Sequence, residues 1–157
     1  MRTRILRVAL LAALVGRAAP ACADATIFAG TSTPATRPVR GVAMGAGLLV
    51  IGFEFEYAYT AEDTTVSVPE LKTGTGSVLI QTPGDLLGVQ PYFITGAGLY
   101  RETLGGASDN GVTFNTGVGV KILMFGPIRF RLDYRVIKLR SGASPTRRLY
   151  AGLNLKF

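Results

Sequence analysis

Two segments of the chain alternate strictly between apolar and polar residues. Residues 51–60 read I-G-F-E-F-E-Y-A-Y-T, and residues 128–136 read I-R-F-R-L-D-Y-R-V. Because successive side chains of a strand point to opposite faces, each segment predicts a strand with one apolar face and one small or charged face. The same spacing would scatter both sets of residues around a helix. The polar face of the first segment offers two carboxylates, and that of the second offers three guanidiniums.

Turn signals separate six further strand-like segments from these two. The eight predicted strands are residues 25–31, 41–48, 51–60, 73–81, 88–101, 112–124, 128–139 and 147–157. Stretches rich in Pro, Gly, Ser or Asp, such as 32–40, 102–111 and 140–146, predict loops between strands. The predicted connections after strands 1, 3, 5 and 7 are longer than those after strands 2, 4 and 6. This rhythm is typical of an up-and-down barrel with its longer loops at one end.

Alternation alone does not say which face of the strands meets water. A soluble barrel would bury the aromatic face, whereas a membrane barrel turns that face to lipid and keeps the charges in its lumen. Eight strands enclose a lumen that side chains just fill, so glycines on the polar face would leave room there for long charged side chains. The small residues on that face are Gly45, Gly47, Gly52, Ala58, Gly117, Gly119 and Gly152. We therefore predict an all-β fold, an eight-stranded antiparallel up-and-down transmembrane β-barrel.

The first 23 residues are predicted to be a secretory signal peptide, which leaves residues 24–157 as the barrel domain. Three arginines precede an apolar run at residues 8–15, and the residues A-C-A at 21–23 fit an A-x-A cleavage site. A buried N-terminal helix is one alternative to this prediction. A lipoprotein signal with an acylated Cys22 is another.

Composition narrows the range of functions. Hydrophobic residues make up 48% of the 157 residues and charged residues 17%, yet no apolar run after the predicted leader approaches the roughly 18 residues of a membrane helix. The chain has no histidine and one cysteine, so we expect no metal site, no cofactor and no histidine-based catalysis. Four of the 17 basic residues lie in the leader, which reduces the net charge from +7 to +3. We therefore do not expect nucleic-acid binding.

One constellation of charged residues falls on the predicted inner face. Its members are Glu54, Glu56, Lys121, Arg129, Arg131, Asp133 and Arg135. Paired carboxylates can perform acid–base work, but two glutamates on one strand face do not by themselves form a recognisable catalytic site. Because buried charges need partners of opposite sign, we expect a lumenal ion-pair network. Rearrangement of the same pairs would open a small conductance, which is the basis of a pore hypothesis.

Other polar residues are placed at the predicted ends of the strands. Four basic residues flank the last loop: Lys138, Arg140, Arg147 and Arg148. They either contact lipopolysaccharide phosphates at the outer rim or form a solvated charged rim. The tyrosines Tyr57, Tyr59, Tyr92, Tyr100, Tyr134 and Tyr150 are candidates for interfacial girdles. For Tyr92, Tyr100 and Tyr150 an inward orientation is the alternative.

Several stretches, taken in order, resemble the small outer-membrane β-barrel proteins of the OmpA-like and opacity-protein-like group. They are the leader, P-Y-F-I-T-G-A-G-L-Y at 91–100, G-V-G-V-K at 117–121, I-R-F-R-L-D-Y-R at 128–135 and the final G-L-N-L-K-F. The resemblance covers essentially the whole mature chain, although no single motif is specific. It implies a monomer in the bacterial outer membrane, exported through the periplasm, with membrane lipid and lipopolysaccharide as partners.

The resemblance also implies an assembly signal at the end of the chain. In the family, a terminal aromatic residue is recognised by the barrel-assembly machinery, and periplasmic chaperones escort the unfolded chain. The matching positions here are Leu153, Leu155 and Phe157.

The function that we expect is therefore non-enzymatic. An outer-membrane barrel with a structural, envelope-integrity or surface-interaction role is the first hypothesis. A narrow passive pore for ions or small solutes is the alternative. A soluble lipocalin-like barrel with an apolar lumen is a third class.

Overall fold

The protein consists of eight strands connected in sequence. The computed structural model describes residues 22–34, 36–63, 67–140 and 144–157. The strands are β1 (Cys22–Thr33), β2 (Arg37–Leu48), β3 (Ile51–Thr60), β4 (Glu70–Gln81), β5 (Val89–Leu104), β6 (Ala107–Phe125), β7 (Ile128–Leu139) and β8 (Thr146–Lys156). The predicted signal peptide lies outside the described residues, except for Cys22 and Ala23 at the start of β1. Within the described ranges, no helix is long and apolar enough to cross a bilayer.

The strands form a closed antiparallel barrel. Each strand pairs with its neighbour in sequence, and β8 pairs with β1 from Asp24↔Lys156 to Thr33↔Arg147. Closure removes the free edges of the sheet, so each strand has a paired neighbour on both sides. The predicted fold class, an eight-stranded up-and-down barrel, is confirmed.

Two of the predicted strands have the observed bounds, and the others are longer or shifted. β3 and β7 match the prediction, and both alternate strictly between apolar and polar residues. The predicted loop at 102–111 is wrong, because β5 and β6 continue through it as a hairpin that pairs as far as Leu104↔Ala107. Gly105 and Gly106 form its turn with positive φ angles of 56° and 89°, as a tight hairpin turn requires.

The predicted rhythm of loop lengths is also wrong in part. β1 and β2 extend into the predicted loop at 32–40, so that only residues 34–36 connect them. The longer connections are residues 61–69, 82–88 and 140–145. We call the end that carries the β1–β2, β3–β4, β5–β6 and β7–β8 connections the loop end, and the opposite end the turn end.

Exposure alternates along the strands in the sense that a membrane barrel requires. Phe55 of β3 is 61% exposed on the outer face, whereas its neighbour Glu56 is 2% exposed in the interior. The same alternation holds along β7, where Leu132 and Tyr134 are exposed and Asp133 is buried. The prediction that the apolar face points outward and the charged face inward is confirmed.

Glycines make room in the interior for long side chains. A Cβ atom built on Gly119 would lie 2.2 Å from the hydroxyl oxygen of Tyr92 and 2.7 Å from the carbonyl oxygen of Leu132. A Cβ atom on Gly117 would lie 2.8 Å from Cγ of Arg135 and 2.2 Å from a backbone oxygen. The glycines of β6 therefore leave free the space that the side chains of Tyr92 and Arg135 fill.

We expect Gly119→Ala to lower the free energy of unfolding by about 1–3 kcal/mol, because the added methyl group displaces Tyr92 in a filled interior. Urea unfolding of the refolded protein in detergent micelles measures this change. Gly76→Ala is the matched control, since a Cβ atom there has no heavy atom within 4 Å. Equal losses of stability in both variants would contradict the packing argument.

Candidate functional site

Charged side chains from three strands meet in the middle of the barrel. Each lies on the inward-pointing parity of its strand: β3 contributes two of them, β7 three and β8 one. We call this set the ion-pair layer; it consists of Glu54, Glu56, Arg131, Asp133, Arg135 and Arg148. Three carboxylates face three guanidiniums, so the layer is electrically balanced, and every member is buried. The pairs between β3 and the other two strands cross the lumen, because β3 is not a sheet neighbour of β7 or β8.

Arg131 binds Glu54 with both terminal nitrogens. Nη1 donates to Oε2 of Glu54 at 2.5 Å, and Nη2 donates to Oε1 at 3.1 Å. Nη2 also donates to Asp133 at 3.1 Å, and Nε donates to the hydroxyl oxygen of Tyr92 at 2.7 Å. A bidentate arginine–carboxylate pair is strong and directional, so this contact fixes β7 against β3 across the lumen.

Arg135 links both glutamates of β3. Its Nη2 donates to Oε1 of Glu54 at 2.9 Å and to the hydroxyl oxygen of Tyr150 at 2.7 Å, and its Nε donates to Oδ1 of Asp133 at 2.8 Å. Nη1 lies 3.0 Å from Oε2 of Glu56, an ion pair without hydrogen-bond geometry. One guanidinium therefore connects three carboxylates.

Arg148 completes the layer near the loop end. Its Nη1 donates to Oε1 of Glu56 at 2.9 Å, and its Nη2 donates to Oγ1 of Thr73 at 3.4 Å. The sequence suggested a rim position for this residue beside the last loop, but the side chain is 2% exposed. Arg148 lies two residues before the inward Tyr150 on β8, so both side chains point to the same face. This alternation is the sequence signal that would have placed Arg148 in the interior.

Lys121 and Arg129, which we grouped with these residues from the sequence, lie nearer the turn end. Lys121 forms an ion pair with Asp24 at 2.5 Å. Arg129 donates to Asp85 at 3.0 Å and to Gln90 at 2.9 Å. The seven predicted residues thus fall into two groups with separate partners.

A cavity of about 180 Å³ opens at the turn end and extends inward as far as Glu54. Its polar lining includes Asp24, Gln90, Lys121 and Arg129. The cavity stops at the ion-pair layer, because the buried side chains of that layer fill the interior beyond it. The lumen is therefore closed in its middle.

The tyrosines divide between the two faces. Three of them point inward, namely Tyr92, Tyr100 and Tyr150, which is the alternative orientation that we considered from the sequence. The outer face exposes Tyr57 and Tyr134. Tyr92 donates its hydroxyl hydrogen to Asp133 at 2.5 Å. The Tyr150 ring stacks on Phe28 with the centroids 4.1 Å apart. Local sequence did not identify these tyrosines as partners of the charged residues.

The predicted assembly signal lies on the outer face of the last strand. Leu153, Leu155 and Phe157 are all exposed. The backbone of Phe157 exchanges two hydrogen bonds with Ala23, of 2.9 and 3.0 Å, where the first and last strands close the barrel. These residues are open to a partner from outside the barrel, and their role in assembly stays a prediction.

The ion-pair layer is suited to closing the lumen and to holding strands together by salt bridges. Each of its carboxylates already has a guanidinium partner. No group of three or more His, Cys, Asp or Glu residues in the described ranges is arranged to hold a metal ion. The turn-end cavity reaches the layer at Glu54, whose carboxylate is already paired with Arg131 and Arg135.

Solved structures of small outer-membrane barrels have the same fold. The N-terminal β-barrel domain of Pseudomonas aeruginosa OprF matches with a TM-score of 0.68 and 12% identity, over 87% of this chain and 97% of that one. Neisserial surface protein A matches with a TM-score of 0.68 and 19% identity, over 87% and 96%. Ail, the attachment invasion locus protein of Yersinia pestis, matches with a TM-score of 0.55 and 15% identity, over 87% and 98%.

At these identities the likeness is one of fold. No protein-family model and no curated protein matches the chain. The chain is thus an eight-stranded β-barrel of the architecture found in small outer-membrane proteins.

We expect Glu56→Leu to lower the free energy of unfolding by about 3–5 kcal/mol, because it leaves Arg135 and Arg148 buried with too few carboxylates. Urea unfolding in micelles measures the loss. Glu62→Leu removes an exposed carboxylate and should change stability by less than about 0.5 kcal/mol. An unchanged unfolding midpoint for Glu56→Leu would show that the ion-pair layer does not stabilise the barrel.

Proposed function

We propose that this chain is a non-enzymatic outer-membrane β-barrel with a structural, envelope-integrity or surface-interaction role. The observation that carries the proposal is the distribution of polarity. Six balanced charges are buried inside, while Phe53, Phe55 and Phe93 are among the large apolar side chains exposed outside. Monomeric soluble proteins rarely expose an apolar surface of this extent, whereas lipid requires it.

The closed middle of the lumen supports a structural role over a pore. A passive pore would need a continuous aqueous path, and the ion-pair layer interrupts that path. Conduction would require Arg131 and Arg135 to leave Glu54, and each would then need another partner in a low-dielectric interior. A soluble lipocalin-like barrel is not favoured, because such a barrel would hold an apolar lumen.

The cellular placement follows from the same proposal. The chain would be exported by the signal peptide predicted at residues 1–23 and folded by the barrel-assembly machinery through Leu153, Leu155 and Phe157. The termini and the turn end would face the periplasm. The loop end would face outward, where exposed basic residues such as Lys138 and Arg147 would form a solvated charged rim.

We expect the detergent-extracted membrane fraction to contain a form of the protein that changes gel mobility on boiling. A closed barrel whose strand ladders and ion-pair layer stay intact in cold SDS runs as a compact species, and boiling converts it to an extended one. Gel electrophoresis of boiled and unboiled samples measures the shift. Recovery in the soluble periplasmic fraction without any shift would contradict the membrane assignment.

A further inference from the structure

The charged residues of the outer face are gathered at the loop end. Five cations point outward from the described strands near this end: Arg40, Lys72, Arg101, Lys138 and Arg147. Toward the turn end, the outward residues of the same strands are apolar, for example Leu48, Ile80 and Phe93. The boundary between the two zones is the level at which an apolar bilayer interior gives way to headgroups.

Three of these cations lie side by side on neighbouring strands. The ladders pair Arg40 with Tyr59, Tyr59 with Lys72, and Lys72 with Arg101. We call these four residues the cationic row. Directly paired residues have Cβ atoms about 5 Å apart, so the row places three positive charges within roughly 15 Å along one side of the barrel.

Contacts within the row hold the cations in place, and one carboxylate beside the row compensates only part of their charge. The guanidinium of Arg40 lies 5.3 Å from the centre of the Tyr59 ring, and Nζ of Lys72 lies 5.7 Å from it. Glu70 is 2.6 Å from Lys72 and is the carboxylate that neutralises one charge. Arg101 has no carboxylate partner among the described side chains. Like charges on adjacent strands repel each other, and an external anion would remove that cost.

Two neighbouring depressions lie on the outer surface along β4, from the cationic row toward the turn end, and we call them together the groove. Its first part, about 520 Å³, lies between Tyr57 and Leu99, with Lys72 and Arg101 at its edge and Gly74 in its floor. Its second part, of about 510 Å³, lies beside Phe55 and Gly76. Outward glycines on β4 make this depression, because their neighbours on β3 are aromatic.

We propose that the cationic row and this groove bind one lipid that carries a phosphate monoester headgroup. The phosphate lies on Arg101 and Lys72 with Arg40 beside them, and an acyl chain lies in the groove over Gly74 and Gly76. Arginine and lysine both bind phosphate oxygens, and arginine does so with two parallel hydrogen bonds. The site would take a lipid A-type headgroup in preference to a singly charged phosphodiester.

This inference rests on the proposed function, because it requires the outer face to lie in a membrane. It names a site on β2 to β5 that is separate from the basic rim of Lys138, Arg140 and Arg147 on β7 and β8. The two basic regions therefore provide matched variants for a test.

Native mass spectrometry of the refolded protein in detergent, with diphosphoryl lipid A added, measures binding directly. We expect the unmodified protein to retain one lipid A and to retain phosphatidylglycerol at least tenfold more weakly. The double variant Lys72→Gln/Arg101→Gln should weaken lipid A binding at least tenfold, since charge-assisted hydrogen bonds are lost. Lys138→Gln/Arg147→Gln removes the same charge elsewhere and should change it less than about twofold.

Gly76→Leu tests the groove separately, because it fills the groove without touching a cation. We expect it to weaken lipid A binding several-fold, whereas free inorganic phosphate should not displace the lipid. Equal binding by the Lys72→Gln/Arg101→Gln variant and the unmodified protein would overturn the proposal, as would an equal loss in Lys138→Gln/Arg147→Gln. Unchanged binding by Gly76→Leu would refute the acyl-chain groove.

The gel-mobility shift on boiling separates the two proposals. A protein that shifts but retains no lipid A would contradict the lipid site alone. A protein that does not shift would contradict the membrane barrel on which the site depends.

Discussion

Paired burial of charge is the interaction on which the rest of this structure depends. Where the outer face is apolar, long charged side chains can point only into the lumen, and there each charge needs a partner of opposite sign. Glu54 and Glu56 on β3 find theirs on β7 and β8, across the lumen rather than along the sheet. The ion-pair layer thus ties together strands that no backbone ladder connects, and it closes the interior at the same time.

Volume is the second constraint, and it follows from the number of strands. Eight strands leave a lumen that side chains can just fill, so each large inward residue requires a small one nearby. Gly119 lies under Tyr92, and Gly117 lies under Arg135. On the outer face, small residues leave a groove instead, because Gly74 and Gly76 lie beside the aromatic residues Tyr57 and Phe55. Small residues therefore shape both the closed interior and the proposed lipid site.

The sequence predicted the strands best where one face meets lipid and the other meets the lumen. β3 and β7 alternate without a break, and their bounds were predicted correctly. The hairpin at the end of β5 and β6 was mistaken for a loop, because a strand with water on both faces has no reason to alternate. Ser108 and Asn110 are residue types common in loops, yet both are paired in the β5–β6 ladder. The alternation of residues along each strand was enough to assign the charged residues to the inner face. It does not show which of them pair across the lumen, as Lys121 does with Asp24.

The most direct test of this account is to ask which face of a strand meets lipid. The chain contains no tryptophan, so Phe55→Trp and Phe28→Trp each introduce one fluorophore, at an outward residue and at an inward residue that is 5% exposed. In vesicles of brominated phosphatidylcholine, we expect strong quenching of Phe55→Trp and little quenching of Phe28→Trp. Strong quenching of Phe28→Trp with a bright Phe55→Trp would contradict an apolar exterior around a charged interior.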